Sequence, residues 1–227
     1  LYNIGSDGAG GIVGFFWSKD NFLRSNVPFS NERVMFYIDS ESYAARANEL
    51  GETSWSVDNY WPNEIVSTLA HELQHMINFH ERYVLRDAIT ETWMNEMLPL
   101  VAEDLVEEKR NRRGPRGVSP VDFPSGSAGA PDNPEGRLPL YNTANDVSLT
   151  AWNTSGDVLE SYSITYSFGA FLGRNFGGAR LFYEIGRNRS SSPDNVLSES
   201  ITAAGGSAGM TLKQLLWRWG AAVILSD

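Results

Sequence analysis

Residues 66–79 read Val-Ser-Thr-Leu-Ala-His-Glu-Leu-Gln-His-Met-Ile-Asn-Phe, and the predicted fold is built around this segment. Pro62 stands just before it, at a position typical of the first turn of a helix. Leucine and isoleucine recur at intervals of four residues, which predicts a single helix from about residue 62 to about residue 86. We expect the resulting apolar stripe to anchor the helix in the core: Ile65, Leu69, Leu73 and Ile77.

Two histidines in this stretch have the spacing of metal ligands. His71 and His75 are four residues apart, so a helix stacks their imidazoles on one face. Both rings can then reach one ion at about 2.0–2.1 Å, the usual zinc–nitrogen distance. The chain has three histidines and no cysteine. A thiolate site is therefore excluded, and the third ligand must be the remaining histidine or a carboxylate.

Glu96 is the better candidate for the third ligand. His80 points away from the other two histidines on a continuous helix, whereas Glu96 lies in a second helical pattern, in Trp93-Met-Asn-Glu96. The residues between His75 and Glu96 suffice to end one helix, turn and bring a second alongside. Glu72, next to the first ligand, is turned away from the metal. We predict that it acts as the general base on a metal-activated water.

The fuller wording of these segments is similar to a known family. Thr68-Leu-Ala-His71-Glu-Leu-Gln-His75-Met-Ile-Asn78-Phe, followed by Trp93-Met-Asn-Glu96, resembles the hyicolysin-like bacterial zinc metallopeptidases of gluzincin type. The motifs that carry this resemblance lie within residues 66–106. It implies a secreted endopeptidase, extracellular or at the cell surface, with two histidines and a glutamate on zinc. The targeting segment would be missing from this sequence, which opens at Leu1.

The residues after Glu96 depart from that family pattern. Many gluzincins have a small residue directly after the ligand and an aspartate four residues after it, where this chain has Met97 and Leu100. The group that would orient a ligand histidine is therefore unassigned. Glu103 shares a helix face with Glu96 and is one candidate. A solvated charge within the acidic run that continues to Glu108 is the alternative.

A tyrosine is the expected donor to the negative charge that develops on the substrate carbonyl oxygen. Tyr166-Ser-Phe-Gly169 resembles the Y-x-x-G segment that supplies the catalytic tyrosine in gluzincin aminopeptidases. Tyr166 is therefore the predicted catalytic donor, and Tyr162, one turn earlier, is the alternative.

The predicted fold is α+β, of the zincin type. We expect an N-terminal lobe over residues 1–112 with a small twisted mixed sheet and the active-site helix. Ile12–Trp17 and Val34–Ile38 are its predicted strands. A long Pro/Gly-rich loop segment over 113–157 and a mainly helical C-terminal lobe over 158–227 complete one catalytic unit. Further helices are predicted at about 91–110, with a kink or restart at Pro99, and at 162–175, 178–188, 193–204 and 211–225.

The composition of the chain limits the classes of partner that it can bind. The net charge of −10 argues against nucleic acid and anionic membranes, and no apolar run is long enough to span a bilayer. We expect a monomer that acts on protein or peptide substrates. Calcium is a second candidate cofactor without support, because the loop Asp132–Gly136 lacks the ligand spacing of a calcium site.

Two alternative functions stay open at this point. One is a zincin fold retained as an inactive adhesion or binding module, against which the intact Glu72 argues. The other is an aminopeptidase, which needs an acidic site for the substrate amine. No G-x-M-E-N element of that kind is present in the sequence.

Overall fold

The computed structural model describes residues 12–39, 60–110, 137–153 and 158–225, with side chains in the first long helix described from Ile65 onward. The chain forms two compact units, Leu1–Met76 and Ile77–Asp227. Within the described residues the structure is mixed α and β and mostly helical, with one small sheet. The predicted α+β class is confirmed at this level, while the division into lobes stays a prediction.

The first unit contains the sheet and the start of the histidine helix. Strands β1 (Gly14–Phe16) and β2 (Phe36–Ile38) pair antiparallel, with Gly14 opposite Ile38. Both lie inside the predicted strand segments. The described residues form a purely antiparallel sheet of two strands, whereas a mixed sheet was expected. A Cβ at Gly14 would lie 2.7 Å from Thr68 Cγ2, so β1 packs directly on the helix that begins at Tyr60.

The loop between the two strands is held by a buried carboxylate. Asp20 is fully buried, and its side chain accepts hydrogen bonds from the Tyr37 hydroxyl at 2.6 Å and from the Asn31 backbone N–H at 2.9 Å. Burial on its own raises the pKa of Asp20. The hydrogen bonds from Tyr37 and Asn31, together with the nearby charge of Lys19, outweigh burial and hold the pKa below its usual value of 3.8.

Replacing Tyr37 by phenylalanine should destabilise this unit in a pH-dependent way. A pKa that is depressed in the folded state means that the Asp20 carboxylate stabilises the fold above the unfolded pKa, and that this stabilisation is lost as pH falls through the folded pKa. Tyr37→Phe should lower the free energy of unfolding by about 1.5–3 kcal/mol at pH 7. Urea denaturation from pH 7 downward should show this difference shrinking below about pH 4. A pH-independent difference would contradict the assignment.

Two helices carry the predicted ligands. Helix α1 (Tyr60–Asn78) continues into a π-helical segment, Phe79–Val84, and helix α2 spans Thr92–Lys109. The expected restart at Pro99 is wrong, because α2 runs through this buried proline without interruption. The missing N–H of Pro99 costs the bond that the Asn95 carbonyl would otherwise accept. Tight packing around α2 offsets that loss.

The predicted burial of the leucine–isoleucine stripe is also wrong in its C-terminal half, whereas Ile65 and Leu69 are half-buried. Leu73 and Ile77 are 47% and 43% exposed, whereas Asn78 and Arg82, four residues apart, are buried. This C-terminal stretch therefore turns a polar face inward, because the buried groups there hydrogen-bond to residues that follow them in the chain. An apolar stripe is a reliable guide to the buried face only when the core offers no polar partners.

The second unit is an assembly of helices around one apolar core. Five helices follow α2: α3 (Arg137–Thr143), α4 (Val158–Asn175), α5 (Ala179–Arg187), α6 (Pro193–Ala203) and α7 (Leu212–Ile224). The last four match the predicted helices closely. Helix α3 lies inside the segment 113–157 that was expected to be loop; most of the remainder of that segment, including Asp132–Gly136, lies outside the described residues.

Helices α2 and α4 approach each other unusually closely. A Cβ at Gly169 of α4 would lie 2.8 Å from both Met97 Cγ and Val101 Cγ2 of α2, closer than side chains tolerate. Glycine at this position therefore lets the two backbones meet. The core beside this crossing includes Trp93, Phe168 and Leu172. The crossing sets the distance between the helix that carries Glu96 and the helix that carries Tyr166.

Candidate metal centre

The two histidines of α1 converge on one point. His71 Nε2 and His75 Nε2 lie 3.2 Å apart, and both side chains are half-buried. Two nitrogens bound to one tetrahedral zinc ion would lie about 3.3 Å apart, given zinc–nitrogen bonds of about 2.0–2.1 Å. The spacing of four residues on a helix thus produces a pair of ring nitrogens at the separation that a shared ion requires.

Glu96 joins this pair. One ligand atom of each of His71, His75 and Glu96 lies within 4.8 Å of the others, and Glu96 Oε2 is shielded from solvent. Among the described residues, this is the one group of three or more such side chains close enough to hold a metal ion. Two imidazoles and a carboxylate form a donor set that zinc accepts, and a catalytic ion would keep one further position for water.

Glu72, the predicted general base, is 5% exposed. Its neighbour His71 is a member of the metal-binding group, so helix geometry turns Glu72 about 100° away from that ligand. A buried carboxylate beside a metal site is protected from competing bulk water. The role of Glu72 as a base stays a prediction.

The two candidate tyrosines differ in their surroundings. Tyr166 is fully buried and packs with Leu100 and Ala170. Leu100 lies one turn after Glu96, so this ring contacts the helix that carries the third ligand. Tyr162 is half-buried; its ring stands edge-on to Trp152, with ring centroids 5.0 Å apart. Neither role is tested by these contacts, and Tyr166 remains the predicted donor.

Two further side chains are the other sequence candidates for binding the metal or orienting a ligand. The His80 side chain is 60% exposed, with its nearest carboxylate, Glu81, 4.0 Å away, and it is not part of the metal-binding group. Glu103 is half-buried on α2. The two interpretations of Glu103, as a group that orients a ligand or as a solvated charge, both stay predictions.

A buried arginine that the sequence analysis missed organises the chain between the two ligand helices. Arg82 is 1% exposed. Its Nε donates to Thr90 Oγ1 at 2.7 Å, and its two terminal nitrogens donate to four backbone carbonyls. These carbonyls belong to Ile89, Ile185, Asn188 and Ser190. Burial lowers the pKa of Arg82, and the nearby charge of Arg86 lowers it further.

No local signal marks Arg82. It is a single cation in a helical pattern, and three of its acceptors lie more than 100 residues away in sequence. Asn78, seven residues after His71, is also buried, and its side chain donates to Asn95 Oδ1 at 2.6 Å.

Comparison with known proteins assigns the chain to a family. The sequence profile of the peptidase M30 family matches residues 2–225. The chain belongs to the peptidase M30 family. The resemblance to hyicolysin-like zinc metallopeptidases is thereby confirmed, and it extends from residues 66–106 to nearly the whole chain.

One similar protein bears the name of a metalloprotease. The neutral metalloprotease ShpI of Staphylococcus hyicus is 28% identical over 180 residues, which covers 76% of this chain and 33% of that protein. The chain thus spans about a third of the length of this relative. Family and relative together support the class of metalloprotease, a hydrolase of peptide bonds.

Proposed function

We propose that this M30 chain is the catalytic part of a secreted zinc endopeptidase of gluzincin type. The observation that carries the proposal is the convergence of His71, His75 and Glu96 in a chain that belongs to a peptidase family. The donor set supports zinc in particular. Two imidazole nitrogens at 3.2 Å with a nearby carboxylate suit a tetrahedral ion, whereas calcium prefers six to eight oxygen ligands.

The catalytic chemistry divides between the ion and the side chains. When bound, zinc supplies Lewis acidity and lowers the pKa of a coordinated water to about 7. The Glu72 carboxylate accepts the proton of the attacking water. The same carboxyl then delivers this proton to the amide nitrogen as the carbon–nitrogen bond breaks, so that the amine leaves neutral.

Tyr166 is the proposed hydrogen-bond donor to the substrate oxygen during the attack. Support comes from its position on α4, which packs against the Glu96 helix at Gly169. Its ring is fully enclosed, whereas Tyr162 is partly exposed. Phenylalanine variants at both positions separate the candidates, since only the true donor should lose kcat with little change in KM.

Substrates and location follow from this proposal. A peptidase implies protein or peptide substrates, and we propose that the protein acts as a monomer outside the cell or at its surface. None of the described helices combines the length and the apolar composition that a membrane span requires. Binding of nucleic acid is disfavoured by the net charge of −10.

A peptide-cleavage profile before and after chelation tests the proposed function. We expect cleavage within peptides whose amino termini are acetylated, loss of cleavage after treatment with a zinc chelator, and recovery on adding zinc. Release of single residues only from free amino termini would favour the aminopeptidase. Zinc binding without any cleavage would favour the adhesion module. Cleavage that is indifferent to chelation would overturn the proposal.

A further inference from the structure

One hydrogen bond links the segments that carry the metal-binding side chains. Asn78 lies three residues after His75 on α1 and is 3% exposed. Its Nδ2 donates to Asn95 Oδ1 at 2.6 Å, a short distance for an amide donor. Asn95 immediately precedes Glu96. The amide of Asn78 therefore holds α2 at the residue next to the third ligand.

The same amide makes a second contact, with Thr90 in the segment just before α2. Asn78 Nδ2 lies 3.4 Å from Thr90 Oγ1, and this hydroxyl accepts the bond from Arg82 Nε. Because all the other N–H groups of Arg82 are bound to backbone carbonyls, Thr90 is tied to a rigid group. The segment between α1 and α2 is therefore held by hydrogen bonds from Asn78 and Arg82 to Thr90.

Asn78 is a poor residue for packing alone. Its Oδ1 is buried and has no hydrogen-bond partner among the described residues, and an unmet acceptor inside a protein is unfavourable. An aliphatic side chain would fill the same space without that penalty. The feature that only the amide supplies is the directed bond to Asn95.

The position of Glu96 depends on this bond. Successive residues of a helix point about 100° apart, so a slip of α2 by one residue would turn the Glu96 carboxylate away from His71 and His75. Packing of the neighbouring Met97 against Gly169 restrains α2 from another side. The hydrogen bond at Asn95 adds a restraint on rotation and register that apolar packing lacks.

We propose that Asn78 is a positioning residue that sets α2 on the histidine helix through Asn95, so that Glu96 completes the metal site. This inference rests on the proposed function, because it concerns zinc binding by the same three side chains. Asn78 touches neither metal nor substrate in this account. Groups that orient metal ligands typically contribute about 10–100-fold to metal affinity or activity.

The test measures zinc affinity rather than cleavage. Asn78→Ala, Asn95→Ala and the double variant are titrated with zinc against a chelator of known affinity. We expect each single variant to raise the zinc Kd by about 10–100-fold. The double variant should bind zinc no more weakly than the more affected of the two single variants, because both changes remove the same bond. Asn95→Asp, which keeps the acceptor oxygen, should retain tight binding.

Two controls separate positioning from general stability. Ile201→Val removes one methylene from the core of α6 and should lower the Tm of the metal-free protein while leaving the zinc Kd unchanged. Cobalt(II) substitution gives a spectroscopic readout. The visible spectrum of the Asn78→Ala protein should shift toward that of Glu96→Ala, in which the third ligand is deleted.

The outcomes distinguish this inference from the proposed function. Wild-type zinc affinity in both Asn78→Ala and Asn95→Ala overturns the positioning role and leaves the zinc peptidase intact. Effects of the two single variants that multiply in the double variant also overturn it. A wild-type protein that binds no zinc, or whose binding survives His75→Ala, overturns the proposed function itself. If one single variant fails to fold, the other still decides the question.

Discussion

Glu72→Gln is expected to abolish peptide cleavage while leaving zinc bound. The substitution keeps the size and the buried environment of the side chain but removes the carboxylate that we propose accepts the proton of the attacking water. General acid–base groups contribute roughly 10²–10⁴-fold to rate, so kcat/KM should fall by a factor in that range. Zinc content, measured after gel filtration, should remain that of the wild type, because Glu72 is not part of the metal-binding group.

Glu107→Gln is the matched control for this change. Glu107 is another buried glutamate, paired with Arg110 at 2.7 Å near the end of α2, and it has no role in the proposed chemistry. Cleavage per folded molecule should therefore be unchanged. Activity that survives in Glu72→Gln, or that falls equally in Glu107→Gln, would contradict the assignment of the base.

The second large effect is a loss of stability, which we expect when Arg82 is replaced. Arg82→Met should lower the free energy of unfolding of the metal-free protein by about 3 kcal/mol or more, because buried acceptors left without donors each cost about 1–3 kcal/mol. That loss is a large part of the 5–15 kcal/mol by which domains are usually stable. Arg82→Lys should give an intermediate loss, since it keeps the charge but not the forked donors.

Arg180→Met is the control for Arg82, measured by urea denaturation in the same conditions. Arg180 is exposed and forms an ion pair with Glu184 one turn away, and such surface pairs contribute at most about 1 kcal/mol. Equal destabilisation by the changes at Arg82 and Arg180 would show that the buried hydrogen bonds carry no special weight.

Local pattern was sufficient to predict much of this molecule. The separation of four between His71 and His75 fixes their common face on any helix, and the scarcity of histidine predicts a carboxylate as the third ligand. Both inferences need only the geometry of one helix and an inventory of residues. The same holds for the four C-terminal helices, whose periodicity and flanking glycines and prolines mark their limits.

The errors arose where long-range contacts decide the outcome. Leu73 and Ile77 are exposed because Asn78 and Arg82 turn the polar side of this helical stretch inward. Three of the five acceptors of Arg82 lie more than 100 residues away in sequence, so no local signal marks them. A kink or restart was expected at Pro99, yet α2 runs through this proline without a restart because of the packing around it. Each of these outcomes depends on which helices pack against each other. The local patterns of a single sequence do not reveal those contacts.

Zinc titration into the chelated protein is the most direct test of the central claim, that His71, His75 and Glu96 bind one ion required for cleavage. The rate of cleavage of a blocked peptide is followed as zinc is added. We predict that activity rises from near zero and stops rising at one equivalent of zinc, and that Glu96→Ala shows no such rise over the same range. Full activity in the metal-free wild type, or an unchanged titration in Glu96→Ala, would contradict the account.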